Sequence, residues 1–192
     1  MRYPYWILVI GLTLWPSSGQ VQESGCFNRI HDAATPRDAD YAFDLRFDRN
    51  VEGDSFSCIL HIRASAARKA IDDFRAAVLY EDESAIARVI KFPLSASVHS
   101  TRLATKGPET FTLHDASEWL AFQRRYFDKR LIGVVSCTNV RNVEIVASRT
   151  YAFMIASGIV RFQQPVPDDH PRVTGVSVFP LTDEMLVSYC AK

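Results

Sequence analysis

The hydrophobic positions of the chain change period along its length, and each change marks a different kind of element. Phe43, Leu45 and Phe47 alternate with Asp44, Arg46 and Asp48, the period of two expected of a half-buried strand. Phe56, Cys58, Leu60 and Ile62 repeat it after a polar turn from Asn50 to Asp54, so the two segments predict a hairpin with Gly53 in its loop. From Ser65, a candidate N-cap, the spacing lengthens to threes and fours. Ala67, Ile71, Phe74 and Val78 fall on one face, with Arg68, Asp72 and Arg75 on the other, which predicts an amphipathic helix. A second, short helix follows Asp82 and turns Ile86, Val89 and Ile90 to the same core. It must end before Pro93, because proline disfavours helix at the residue ahead of it. The third helix has the clearest start: Asp115 and Glu118 stand at capping-box spacing, and Trp119, Phe122 and Tyr126 form an aromatic stripe read as core.

Beyond Lys129 the chain becomes β-rich. Leu131 to Val135, Val143 to Ala147, Tyr151 to Ile155, Ile159 to Gln163 and Arg172 to Phe179 are short runs of β-branched and aromatic residues between Asn, Ser, Gly and Pro. At least three should be strands; the first fits the end of a helix equally well. Helices followed by strands predict an α+β domain with the helices on one face of an antiparallel sheet. Residues 20 to 40 show little periodicity and a Thr35-Pro36-Arg37-Asp38 turn signal, and read as an arm. The expected organisation is a leader over 1–19, an arm and hairpin over 20–64, and one domain over 65–192.

The leader is a secretory signal by its pattern. Trp6 to Trp15 carries no charge; it is shorter than the roughly 20 residues that span a bilayer and suits the apolar part of a signal peptide. Ser17 and Gly19 are small, which places the cut before Gln20. An uncleaved anchor is the alternative. A lipoprotein signal on Cys26 is disfavoured, since Glu23 stands where such a signal wants Leu. The expected location is periplasmic or secreted, with no stable membrane insertion after cleavage. Charge removes another class: 22 basic and 22 acidic residues leave no net charge, and so no surplus of cations for binding nucleic acid. A composition 47% hydrophobic and 23% charged is that of a folded globular protein.

Export also decides how the four cysteines are read. An even number in an oxidising compartment favours disulfides. Three pairings of Cys26, Cys58, Cys137 and Cys190 are open. Cys26 with Cys58 and Cys137 with Cys190 is preferred, because the first bond staples the arm and the second ties down the C-terminus.

Set in this order, Ser65 to Gln163 resembles the nuclear-transport-factor-2-like superfamily. Leu79, Asp82 and Val89-Ile90-Lys91-Phe92-Pro93-Leu94 resemble the helix-hairpin exit of small secreted bacterial members, and Phe111 to Phe127 resembles their third helix. Tyr151-Ala152-Phe153-Met154-Ile155-Ala156-Ser157-Gly158-Ile159-Val160-Arg161-Phe162 resembles their glycine-punctuated hairpin. Ala152 and Ala156 stand where that hairpin has Gly, and Arg161 stands where it has Trp. The resemblance implies a cone-shaped, cystatin-like fold in which a curved sheet wraps about three helices, and it makes a homodimer an open expectation. It also implies a cavity in the cone, where the enzymes of the superfamily work with carboxylate, His and Tyr groups.

The expected function is that of a non-enzymatic binding protein for an unknown protein or a small apolar ligand, with no cofactor; neutralising a toxin or hydrolase is its most specific form. The alternative is a small lyase or isomerase with His99 as general base, aided by Tyr126 or by Asp72 or Asp73. No metal is expected. The histidines at 31, 61, 99, 114 and 170 show no paired spacing, and Asp168-Asp169-His170 reads as a solvated turn before it reads as a ligand cluster. Gly-x-Ser-x-Gly is absent. Arg124-Arg125 and Lys129-Arg130 make a basic patch best explained by the end of the third helix.

Overall fold

The computed structural model describes residues 25–31, 39–48, 56–99, 107–146, 152–156, 158–164 and 170–190. The leader and its cut, the Gly53 turn, Asp168 and Asp169 lie outside the described residues.

The longest helix among the described residues grows from an apolar stripe at spacings of three and four. Helix α3 (Ala64–Tyr80) buries Ala67, Ile71, Phe74 and Val78. It ends at Glu81, which takes a left-handed φ of 50° and donates its backbone N–H to Ala77 O. The chain then reverses into α4 (Glu83–Val89), where the Asp82 carboxylate accepts from the backbone of Ser84 and Ala85. Ile90 is the first residue of strand β1 (Ile90–Val98) rather than a helical one. Helix α5 (Ala116–Tyr126) starts where the capping box predicts, with Asp115 accepting from Glu118 N. The Glu118 carboxylate reaches back one residue further than a simple box, to His114 N. Leu131 to Val135 belongs to α6 (Lys129–Cys137), capped by Asp128.

Among the described residues six strands form one mixed sheet in the order β2-β1-β6-β5-β4-β3. Besides β1, these are β2 (Glu109–Leu113), β3 (Glu144–Val146), β4 (Ala152–Ile155), β5 (Val160–Gln163) and β6 (Arg172–Val178). The expectation of a purely antiparallel sheet is corrected at one pair, where β1 and β6 run parallel. Such a pair needs a long crossover, and the chain between its two strands supplies α5, α6 and the other strands. Strand β2 corrects the expectation that Phe111 belongs to the third helix: Phe111 is opposite Ala96 in the β1·β2 ladder. The β4–β5 hairpin pairs Ile155 with Val160. Ala156, where the family pattern has Gly, takes a φ of 53°, and Gly158 takes 85°; the alanine thus adopts a left-handed backbone that glycine would take at less cost.

The core lies between α3 and the sheet. Phe74 meets Trp119 and Phe162 edge-on at 6.1 and 5.8 Å between ring centroids, and Phe153 stacks flat on Phe162 at 4.8 Å. Four large rings in edge-to-face and stacked contact fill this space, each adding to its area burial. Gln123, a buried polar side chain here, is satisfied at both ends: it accepts from Trp119 Nε1 and donates to Val78 O, both at 2.9 Å.

The N-terminal segments depart most from expectation. Phe43 to Asp48 is not a strand: α2 (Ala39–Phe47) is a helix, preceded by the short α1 (Gly25–Ile30). Phe56–Leu60 is a single π-helical turn, not a second strand. The physical reason lies in two buried carboxylates. Asp44 and Asp48 are 1% and 6% exposed, and their spacing of four puts them on one helical face. Asp48 accepts from Ser57 N and Oγ at 2.9 and 2.7 Å. Asp44 does the same for Ser65, whose hydroxyl lies 3.0 Å away. Ser65 is therefore not the N-cap of α3. Arg63 holds that position without a side-chain bond, and Asp44 from another helix supplies the acceptor.

Disulfides join Cys26 to Cys58 and Cys137 to Cys190. The first fastens α1 to the π-helical turn and the second fastens α6 to α7 (Asp183–Cys190). With separations of 32 and 53 residues, each closure stabilises by about 4 kcal/mol in the chain-entropy model.

Candidate binding site

The residues singled out from sequence for chemistry are not brought together. His99 follows β1 and donates its backbone N–H to Val178 O at 2.8 Å. Leu94 and Ala96 face the core and alternate with the exposed Ser95 and half-buried Ser97; the strand period puts His99 on the side of those serines. Tyr126 lies on α5 with its ring against Phe111 and Phe122, at 5.4 and 4.8 Å. Asp72 pairs with Arg75 at 3.0 Å and Asp73 with Lys69 at 2.6 Å along the solvent side of α3. Arg161 alternates with the buried Phe162 on β5 and so stands on the far side of the sheet from the core. The basic patch is divided among separate contacts: Arg124 bonds Glu81, Arg130 bonds Asp183, and Arg125 lies over Tyr126. Among the described residues no group of three or more His, Cys, Asp or Glu side chains is placed to hold a metal.

One polar cluster has the composition of a catalytic trio. His31 Nε2 lies 3.1 Å from Asp44 Oδ2, and Ser65 donates to the same carboxylate. The order is wrong for a nucleophile, which needs an imidazole beside the hydroxyl to take its proton; here the carboxylate stands between the two. The His31 ring stacks on Phe27 at 4.4 Å and meets Tyr41 edge-on at 5.2 Å. Burial raises the Asp44 carboxyl above its ordinary value, while the bonds from Ser65 and the charges of His31 and Arg63 pull it back. The cluster is a clamp from α1 and α2 onto the start of α3.

Beside that clamp, Phe43, Arg46 and Phe47 of α2 face a cavity. Phe43 and Phe47, one turn apart, pack with ring centroids 4.6 Å apart and form its wall. Helix α3 contributes Arg68, Ile71 and Asp72, and the turn after α6 contributes Asn139, Val140 and Arg141. The Asn139 side chain accepts from Arg141 N at 2.8 Å and fixes that turn. The space measures about 360 Å³, at the small end of pockets that hold organic ligands.

Its charge is one-sided. Arg46, Arg68 and Arg141 line it, with Asp72 as the lining carboxylate, and Asp72 is already engaged by Arg75. The Arg68 guanidinium lies 4.0 Å above the Phe43 ring and bonds Asp40 at 3.1 Å. The guanidiniums of Arg46 and Arg141 both lie 5.3 Å from the centre of the Phe47 ring, and neither has an ion pair among the described residues. Sequence reading missed these arginines, which come from three segments. The Phe43–Phe47 spacing of four fits a helical turn, but it says nothing of the arginines around it. Against family models, curated proteins and solved structures, the chain finds no match.

Proposed function

We propose that the protein is an exported, non-enzymatic binding protein of the nuclear-transport-factor-2-like kind, engaging its partner at its surface rather than inside a cone. The observation that carries this reading is the filled interior: Phe74, Trp119, Phe153 and Phe162 are all 1% exposed or less and pack ring against ring between α3 and the sheet. Support for the kinship is the helical hairpin α3–α4 followed by β1, and a six-stranded sheet packed on the helix containing Phe74. Support for export is the apolar run Trp6 to Trp15 together with two disulfides. Among the described residues no helix is long and apolar enough to cross a membrane.

In the most specific form the partner is a toxin or a hydrolase of the cell envelope, held inactive by the complex. The test is affinity capture from envelope extract with the tagged, exported protein. The expected result is one partner at near-stoichiometric yield whose activity falls on binding. Recovery of none, or localisation of the chain to the cytoplasm with its thiols reduced, contradicts the reading.

A further inference from the structure

We infer that the cavity between α2, α3 and the turn after α6 is a binding site for a small carboxylate carrying a flat, apolar body. The recognition follows from what lines it. Phe43, Phe47 and Val140 offer apolar surface to such a body, and the two rings, 4.6 Å apart and tilted 35° to one another, supply aromatic faces for it to lie against. Arginine stays protonated at any physiological pH. Arg46 and Arg141 each hold a guanidinium 5.3 Å from the centre of the Phe47 ring, so two cations border the same ring and line the same cavity. Guanidinium matches the two oxygens of a carboxylate with paired, parallel bonds.

The charges nearby do not cancel this pair. Asp40 is bonded to Arg68 and Asp72 to Arg75, so of the three arginines that line the cavity Arg46 and Arg141 have no carboxylate partner among the described residues. With two such cations and about 360 Å³ of space, the fitting ligand is a one- or two-ring monocarboxylate rather than a polyphosphate. The inference rests on the binding reading for its biological use alone, and its chemistry is tested with no partner present.

The experiment is calorimetric titration of the purified, oxidised protein with 2-naphthoate, with 2-naphthamide as the neutral match and acetate as the anion without a body. Naphthoate is expected to bind at least about tenfold more tightly than either, the ratio that one charge-assisted contact supplies. Arg46→Gln and Arg141→Gln should each weaken naphthoate by about tenfold and leave naphthamide unchanged. Arg125→Gln, which alters a cation held over Tyr126 on α5, should leave both unchanged. Thermal melts of each variant show that it is folded. Equal binding of naphthoate and naphthamide, no binding of either up to about 10 mM, or full affinity in the Arg46 and Arg141 variants overturns the inference. Failure here leaves the capture experiment standing, and an empty capture leaves the titration standing.

Discussion

The body of the molecule and its N-terminal arm are held by different forces. Between α3 and the sheet the contacts are apolar, and the buried polar Gln123 is fully bonded within that body. In the arm, His31, Asp44, Asp48 and Ser57 are all buried, and α1 and α2 are fixed by two carboxylate–serine pairs and a disulfide. Apolar packing tolerates rearrangement of similar volumes, whereas a buried carboxylate that loses its donors is costly. The body therefore specifies itself. The arm depends on a few named ties, and the cavity, built from both, depends on those ties as well.

The largest expected effect lies in the body. Phe74→Ala removes a ring that is 0% exposed and should cost about 3–5 kcal/mol, read as a drop in the urea midpoint for the whole molecule. Replacing Cys26 and Cys58 together by Ser should cost up to about 4 kcal/mol. The loss should be concentrated in the arm: hydrogen exchange should quicken in α1 and α2 while α3 and the sheet keep their protection. Equal loss everywhere would show that arm and body are one cooperative unit.

This contrast also decided what could be read from the chain. The stripe Ala67, Ile71, Phe74 and Val78 is long enough that a helix alone fits it, and the Asp115–Glu118 cap and the β4–β5 hairpin are local signals of the same kind. Residues 43 to 48 are not. A spacing of four is twice the strand period and close to one helical turn, so Phe43 and Phe47 satisfy both patterns. The arbiters are Ser57 and Ser65, 9 and 21 residues from their carboxylate partners. The parallel pairing of β1 with β6 is more distant still, joining Ser97 to Ser177, 80 residues away, and no local period encodes it. The cavity was illegible for the same reason, since its arginines meet only after three segments have folded.

A smaller effect tests the clamp itself. Asp44→Ala should cost about 2 kcal/mol by leaving the Ser65 donors without their acceptor, with faster exchange at the start of α3. Its pH dependence has a definite sign. The Asp44 carboxyl is raised by burial above 3.8, so the folded state holds its proton more tightly than the unfolded chain does. That contribution is present below about pH 3.8 and is lost as pH rises through the raised value. Wild type minus Asp44→Asn, measured by urea unfolding across this range, should therefore fall as pH rises; a difference that climbs would contradict the burial argument.

The smallest effect is at Asp82, which caps α4 at the surface. Bonds from Ala85 N and from the Ser84 side chain hold its carboxyl below 3.8, so its contribution is present above that value and is lost as pH falls through the lowered one. Asp82→Ala should fray α4, seen as faster amide exchange at Ser84 and Ala85, and leave the cavity untouched.

The most direct test of the whole account is where a ligand is felt. In heteronuclear NMR spectra of the oxidised protein titrated with 2-naphthoate, the amides of Phe43, Phe47 and Arg141 should shift while the Trp119 indole N–H, bonded to Gln123 in the filled interior, stays fixed. Movement of the Trp119 signal with no response at Phe47 would place binding inside the body and contradict it.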